Sequence, residues 1–281
     1  MVYDSRHKPS GTVLADDGRE LPVNVFEPAG TPAGVALVVP AMATPASYYR
    51  AFATWLAANG LRAVTFDYRD TESPQAMRSS RIDVDRWATD TGAVLRWAAA
   101  ERLPVTWIGH SMGGQLLPLV DHAMVDRVVT VAAGNGYWRY NARRLRWATP
   151  LLWWVVAPLT MQIFGYFAGS RIGVLGDVPS GAMRQWSRWC HHPHYLEADH
   201  PDRAERFAAV TAPILSLSFT DDELLAKASI DSLHSWYTGA TVQRRHLAPG
   251  DLGVVSMRHH GFFRERHRHL WDELVLPFLR A

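Results

Sequence analysis

The stretch VTWIGHSMGG, residues 105–114, decides the fold because it joins an apolar run to a serine flanked by glycines. Val105–Ile108 has the continuous apolar pattern of a strand that is buried on both faces. The Gly-x-Ser-x-Gly spacing at 109–113 then places Ser111 at a sharp strand-to-helix turn, where bulky neighbours would clash. The pattern predicts a strained turn and a helix whose free N–H groups point at the serine.

Strands and helices alternate on both sides of this stretch. The predicted strands are Gly11–Leu14, Leu21–Phe26, Val35–Val39, Arg62–Phe66, Val105–Ile108, Arg127–Ala132, Pro213–Phe219 and Val242–Leu247. The predicted helices are Ala46–Asn59, Val84–Glu101, Ser111–His122, Leu224–Tyr237 and Phe262–Leu279. This alternation is typical of an α/β protein with a mostly parallel sheet and flanking helices.

The alternation stops between Gly134 and His200, where the sequence is rich in tryptophan and shows no convincing strand. Because it resumes at Pro213, we interpret the middle block as an insertion and not as a second domain. The sequence therefore predicts one α/β core domain, residues 1–133 and 201–281, interrupted by a helical insertion, residues 134–200.

Composition narrows the class of protein. The 281 residues include 29 basic and 27 acidic side chains, a balance that argues against a nucleic-acid binder. The chain is 48% apolar and 20% charged, as in ordinary globular proteins. The single cysteine, Cys190, cannot form an internal disulfide, and residues 1–10 lack the apolar core of a signal peptide. We therefore expect a cytoplasmic protein.

One uncharged stretch, Trp147–Ser170, has the length of a membrane-spanning helix. Pro150 and Pro158 interrupt it, and polar residues are scattered through it, so we expect buried or interfacial helices instead of a span. The basic run Arg139–Arg146 before it leaves a weak membrane-surface contact open.

A serine hydroxyl is a weak nucleophile without a base, so Ser111 needs partners. Where this turn carries a nucleophile, an acid and then a histidine follow it along the chain. Asp222 follows the strand that starts at Pro213, and the neighbouring Asp221 is the alternative. His259 follows the last strand and is the expected general base, with His260 as the alternative.

The negative charge that develops on a substrate carbonyl needs two backbone N–H groups. We expect one from Met112, directly after the candidate nucleophile. The other is expected from the loop after Val35–Val39, from Met42, with Ala41 as the alternative. These groups act through the main chain, so their side chains carry little information.

Two histidine-rich segments contain residue types that bind zinc. These are Cys190–His194 and the pair His259-His260. The pair has no carboxylate or cysteine at ligand spacing nearby, and a Ser-His-Asp triad needs no metal. We expect no metal and no cofactor.

At this point the chain resembles the α/β-hydrolase superfamily over essentially its whole length. The resemblance rests on Gly109–Gly114, Asp222 and His259. More narrowly, the chain is similar to a bacterial branch of predicted hydrolases related to serine aminopeptidases and lysophospholipases. The similar strings are GNGYW (134–138), QWSRWC (185–190) and HHGFFR (259–264). In that branch the catalytic histidine precedes an aromatic residue and a glycine, which puts His260 at the aromatic position.

The chain also departs from this fold family. Pro40-Ala41 stands where His-Gly is frequent after the third strand, and residues 69–74 lack the glycines that are frequent after the fourth. These changes affect the expected loop shapes and leave the candidate triad intact.

The resemblance implies hydrolysis of a carboxylic ester, thioester or amide, with residues 134–200 forming a lid over the site. Six of the 12 tryptophans lie in this insertion, and they either line an apolar pocket or pack the lid on the core. We expect a lipophilic acyl substrate. Acyl transfer on the same triad and ligand binding without turnover are the alternatives.

Overall fold

The computed structural model describes residues 9–281 apart from the side chain of Arg144. Residues 1–8, on which most of the signal-peptide expectation rests, lie outside this range. An eight-stranded sheet forms the core. Its strands are β1 Gly11–Leu14, β2 Glu20–Phe26, β3 Gly34–Val39, β4 Leu61–Phe66, β5 Val105–His110, β6 Arg127–Val131, β9 Ile214–Phe219 and β10 Val242–Leu247. They are arranged in the order β1-β2-β4-β3-β5-β6-β9-β10. Two short strands, β7 Tyr166–Ala168 and β8 Asp177–Pro179, form a separate hairpin.

Strand direction follows the connections. The hairpin between β1 and β2 is antiparallel, as is the β2–β4 pairing, and every other pairing in the large sheet is parallel. Gly18 in the first turn has φ 77°, which glycine adopts without steric cost. The central strands β3, β5 and β9 are buried along their whole length, as their apolar runs predict. The predicted mostly parallel α/β fold is confirmed.

The α-helices of the chain lie on both faces of this sheet and above its carboxyl edge. They are α1 Arg50–Ala58, α2 Pro74–Ser79, α3 Val84–Ala98, α4 Met112–Gln115, α5 Arg143–Leu151, α6 Ala157–Phe164, α7 Gly169–Ile172, α8 Ser180–His191, α9 Arg203–Ala208, α10 Lys227–His234, α11 Arg268–Leu270 and α12 Leu276–Arg280. One apolar cluster packs α3 on the sheet through Trp87 and Val94. A second cluster packs α1 and the C-terminal helices on the other face through Phe52 and Trp271.

Two helices are shorter or more broken than their sequences predict. The helix expected over Ser111–His122 ends at Gln115, and 3-10 turns follow at Leu117–Leu119 and His122–Met124. Pro118 lacks the N–H group that would continue the helix. The C-terminal helix contains a 3-10 turn at Glu265–His267 and a π turn at Trp271–Val275 before α12.

The segment 134–200 holds one long helix, residues 143–164, in which a π turn at Leu152–Val156 joins α5 to α6. The expectation of no strand in this segment is wrong, because β7 and β8 pair here. Strands of three residues are too short to show a period in the sequence. A buried Asn135 anchors the start of the segment, since its side-chain amide donates to Ser232 Oγ and to the Pro193 carbonyl.

Candidate functional site

Ser111 lies at the turn between β5 and α4. Its backbone has φ 51° and ψ −112°, a region that L residues rarely adopt and that costs about 1–3 kcal/mol. The flanking glycines permit this turn. A Cβ on Gly109 would lie 2.5 Å from the Cα of Gly114, and one on Gly113 would lie 2.2 Å from the carbonyl oxygen of Val39. The strained turn holds the Ser111 side chain at the carboxyl edge of the sheet.

The two expected partners of Ser111 contact each other. His259 Nδ1 lies 2.9 Å from Asp222 Oδ2, and both side chains are almost completely buried. Asp222 Oδ1 also accepts the main-chain N–H groups of Leu224 and Leu225. Burial raises the pKa of Asp222, but the nearby His259 and these amides outweigh it, so the net pKa lies below its ordinary value. Asp222 is therefore a carboxylate at neutral pH.

The carboxylates of Asp221 and Glu223 bind the main chain of the loop that carries His259, whereas Asp222 binds the His259 ring. Asp221 accepts the main-chain N–H groups of Met257 and Arg258, at 2.9 and 3.0 Å. Glu223 accepts the main-chain N–H of His259 at 3.0 Å. Sequence reasoning missed Glu223, although its place in an unbroken acidic run after β9 is a usable signal. The geometry favours Asp222 over Asp221 as the acid.

A buried chain of hydrogen bonds links the loop after β3 to the carbonyl of His259. The Ala41 amide donates to the Tyr49 hydroxyl at 2.9 Å, and that hydroxyl lies 2.8 Å from His110 Nδ1. His110 Nε2 lies 3.0 Å from the carbonyl oxygen of His259. Burial, with the charges of His259 and His260, holds the pKa of His110 well below its usual value. A neutral His110 with its proton on Nε2 satisfies both contacts.

His260 does not contact the acid. Its Nε2 lies 3.4 Å from Thr44 Oγ1, and its ring packs edge-on against Tyr48 and His110. Burial lowers its pKa to about 4. His260 therefore stays neutral at pH 7 and forms part of the wall beside His259, so the geometry favours His259 as the base.

The candidate oxyanion-binding amides differ in their partners. The Ala41 amide donates to the Tyr49 hydroxyl, so it is not free to bind a substrate oxyanion as the alternative to Met42. Within residues 9–281, the amides of Met42 and Met112 have no hydrogen-bond acceptor. Both residues line the cavity that Ser111 lines. Two unpaired N–H groups near a serine at a helix N-terminus suit a developing negative charge.

A cavity of about 1140 Å³ lies above this edge of the sheet. Ser111 and His259 both line it, and the ring of His110 lies 5.4 Å from that of His259. Asp222 lies behind His259, outside the lining. Apolar side chains from the core and from segment 134–200 form much of the wall, including Met42, Tyr68, Leu145, Leu152, Trp153 and Trp186.

The six tryptophans of the inserted segment divide into different roles. Trp153 and Trp186 line the cavity, with ring centroids 5.0 Å apart. Trp189 is completely buried and packs the segment on the core. Trp147 and Trp154 instead face solvent, so these two neither line the cavity nor pack the segment on the core. The remaining Trp138 is half-buried and stacks with Arg139.

The segment Cys190–His194 has a packing role. Cys190 is buried, and the ring of His191 packs against Trp153 and Trp154. Among residues 9–281, no three histidine, cysteine or acidic side chains are arranged to hold a metal ion.

The sheet order, the serine turn after β5 and the acid after β9 define a protein with the α/β-hydrolase fold, as the sequence resemblance predicts. Neither a protein-family model nor a curated relative matches the sequence. Solved structures do match it. An esterase from Exiguobacterium antarcticum has a TM-score of 0.61 at 15% identity, covering 96% of this chain and 99% of the esterase.

Two further solved structures share the fold over the same span. A soluble variant of the monoglyceride lipase from Saccharomyces cerevisiae has a TM-score of 0.65 at 15% identity, covering 96% of this chain and 98% of the lipase. A carboxyl esterase from Bacillus coagulans has a TM-score of 0.67 at 12% identity, covering 96% and 97%. At such identities the likeness establishes the fold, and the chemistry has to come from the site.

Proposed function

We propose that this protein is a serine hydrolase that cleaves a carboxylic ester, or a thioester or amide, of a lipophilic acyl group. The hydrogen bond between Asp222 and His259 Nδ1, behind a cavity that Ser111 and His259 both line, carries the proposal. It fixes the histidine tautomer that leaves Nε2 to accept a proton. The esterases and the lipase with the same fold support this chemistry.

In the proposed reaction, Ser111 Oγ attacks the substrate carbonyl carbon while His259 Nε2 takes the hydroxyl proton. The Asp222 carboxylate stabilises the imidazolium that forms. The amides of Met42 and Met112 stabilise the negative charge on the carbonyl oxygen. His259 then gives its proton to the leaving group, and an ester between Ser111 and the acyl group remains.

Water completes the cycle in the second half of the reaction. His259 removes a proton from water, the resulting hydroxide attacks the acyl carbon, and the bond to Ser111 Oγ breaks. The carboxylic acid leaves and Ser111 regains its proton from His259. The main-chain N–H of His259 donates to Glu223, and its carbonyl oxygen contacts His110. These two contacts fix the main chain of His259 and keep its ring in place through both halves of the reaction.

The cavity wall supports the acyl preference. Trp153, Trp186 and Leu152 present large apolar surfaces to any bound ligand, which favours burial of an aliphatic chain. The uncharged stretch Trp147–Ser170 also supports contact with a membrane surface, where such substrates are concentrated. We place the reaction in the cytoplasm, since the one cysteine is a buried thiol.

The test is turnover of p-nitrophenyl esters with acyl chains from two to about sixteen carbons. The wild type is compared with Ser111→Ala and with Ser79→Ala, a matched control on the exposed face of α2. We expect Ser111→Ala to lose on the order of 10⁴- to 10⁶-fold in kcat and Ser79→Ala to stay unchanged. Equal activity in Ser111→Ala and the wild type contradicts the proposal.

The same substrates separate hydrolysis from acyl transfer. Adding an alcohol as acceptor and measuring both the acid and the new ester shows which acceptor the acyl group reaches. Release of the acid alone supports the hydrolase. Predominant formation of the new ester at low alcohol concentration identifies a transferase, and binding of esters without turnover identifies a ligand-binding protein.

A further inference from the structure

The long helix, residues 143–164, carries an apolar strip on its outer face. The strip consists of Trp147, Leu151, Val155, Leu159 and Ile163, which recur every four residues, with Trp154 beside them. Each of these six side chains is between 50% and 79% exposed. Single exposed apolar residues are common on proteins, but a continuous strip along a whole helix marks a contact with something outside the chain.

The opposite face of the same helix belongs to the protein interior. Trp153, Ala157 and Thr160 are buried, and Leu145 and Leu152 line the cavity above Ser111. The stretch Leu145–Phe164 has the length and the mean hydropathy, 1.2, of a helix that could cross a membrane. Since one face packs on the protein along its length, the helix is arranged to lie flat on a surface and not to span one.

The charge around the strip selects the kind of surface. Residues 127–176 contain six arginines and no acidic residue. Arg143 and Arg146 lie at the start of the helix, and Arg171 lies shortly after its end. Within the described part of the chain, none of these three forms an ion pair. Cations flanking an exposed apolar helix with two tryptophans suit anionic lipid headgroups above acyl chains.

We infer that the apolar strip docks the protein on an anionic lipid bilayer, with the long helix parallel to the membrane plane. The tryptophans and aliphatic residues enter the headgroup boundary, and the arginines contact lipid phosphates. This inference deepens the proposed function, on which its consequence for substrate rests. Because the strip and the cavity lie on opposite faces of one helix, a lipophilic ester would pass from the bilayer to Ser111 over a short path.

The test is co-sedimentation of the full chain with vesicles of phosphatidylcholine alone or of phosphatidylcholine mixed with phosphatidylglycerol. The variant Leu151→Asp/Ile163→Asp changes two strip residues that do not line the cavity. Its matched control, Leu14→Asp/Val255→Asp, makes the same change of charge at two exposed residues outside the helix. Circular dichroism verifies that both variants fold.

We expect the wild type and the control to bind the mixed vesicles and to release them at high salt. The strip variant should bind at least tenfold more weakly, and Arg143→Gln should lose about fivefold on mixed vesicles only. Absence of wild-type binding overturns the inference, as does equal binding by the strip variant. A wild-type dimer that the strip variant converts to monomer in sedimentation equilibrium also overturns it, since a second copy then covers the strip. Binding is read without turnover, so this result is independent of whether Ser111 cleaves esters.

Discussion

The carboxyl edge of the sheet and the long helix above it differ in how their side chains are paired or covered. The edge buries polar groups, and the outer face of the helix exposes apolar ones. At the edge, His259 has a partner on its N–H, on its carbonyl and on its ring. On the outer face of the helix, Trp147 is 79% exposed and Ile163 is 63% exposed. Buried polar groups are costly unless paired, and exposed apolar strips are costly unless covered. The polar groups of the first region are therefore paired within one chain, whereas we propose that a lipid surface covers the second.

The largest expected effect tests whether Asp222, and not its neighbour Asp221, acts on the His259 ring. Asp222→Asn should lower kcat by about 10⁴-fold, because an amide cannot stabilise the imidazolium and favours the wrong tautomer. Asp221→Asn, its neighbour in sequence, should lose less than about tenfold, since Asp221 accepts main-chain N–H groups and, within residues 9–281, makes no hydrogen bond to the His259 ring. Steady-state kinetics on a soluble short-chain ester measure both. Equal losses of kcat in the two variants would contradict the assignment of Asp222 as the one acid that supports His259.

The buried chain from Ala41 to His259 gives a second, smaller effect. Tyr49→Phe removes the hydroxyl between the Ala41 amide and His110, so the Ala41 N–H and His110 Nδ1 each lose this partner. We expect kcat to fall about 10- to 100-fold with little change in KM, because the loop and the histidine move and the binding wall stays. Tyr237→Phe is the control, since its buried hydroxyl has no partner within residues 9–281. A Tyr49→Phe enzyme with wild-type kcat would rule out a positioning role for this chain.

Acid should destabilise the core through its neutral histidines. Burial lowers the pKa of His260 and His234 to about 4 and holds that of His110 well below its usual value. Between about pH 6.5 and 4 the unfolded chain binds more protons, so the free energy of unfolding falls as pH falls. Each histidine contributes about 1.4 kcal/mol per pH unit in that range. Urea unfolding at several pH values measures the slope.

A matched variant makes the acid test specific. His234 lies away from the cavity, between Thr130 and the Ile230 carbonyl. His234→Gln should reduce the slope by about one histidine's share and leave ester turnover unchanged. A slope that does not change would mean that His234 is protonated in the folded protein.

The smallest expected effect tests whether the cavity face and the exposed face of the long helix have different roles in ester selectivity. Trp153→Ala enlarges the cavity and should shift the preferred acyl chain length by a few carbons, with a change of about tenfold on the longest esters. Trp154→Ala, one position further and 57% exposed, should leave the profile for water-soluble esters unchanged. The chain-length series measures both variants. A shift in both would mean that the cavity and the strip are not separate surfaces.

The candidate residues at this edge could be predicted from the sequence because each has a local signal. The apolar run before Gly109, the glycines around Ser111 and the order of acid and histidine all follow from short-range rules. The choice between Asp221 and Asp222 does not, since adjacent residues in one turn differ only in direction. The contacts of Tyr49 and His110 join segments far apart in the chain, and no pattern in one sequence places them together.

The inserted segment was less predictable for a physical reason. Its hairpin strands β7 and β8 have three residues each, and the π turn at Leu152–Val156 shifts the helical faces part-way along. A regular period of 3.6 therefore cannot assign Trp153 to the cavity and Trp154 to solvent. Composition alone indicated an apolar segment and left open which side of it faces outward.

The most direct test asks which side chain reacts as the nucleophile. The wild type is treated with a fluorophosphonate, digested, and mapped by mass spectrometry, with Asp222→Asn treated in parallel. We expect one stoichiometric adduct on Ser111, formed much more slowly in Asp222→Asn. An adduct on another residue, or ester turnover that persists after Ser111 is fully labelled, would contradict the proposed role of Ser111.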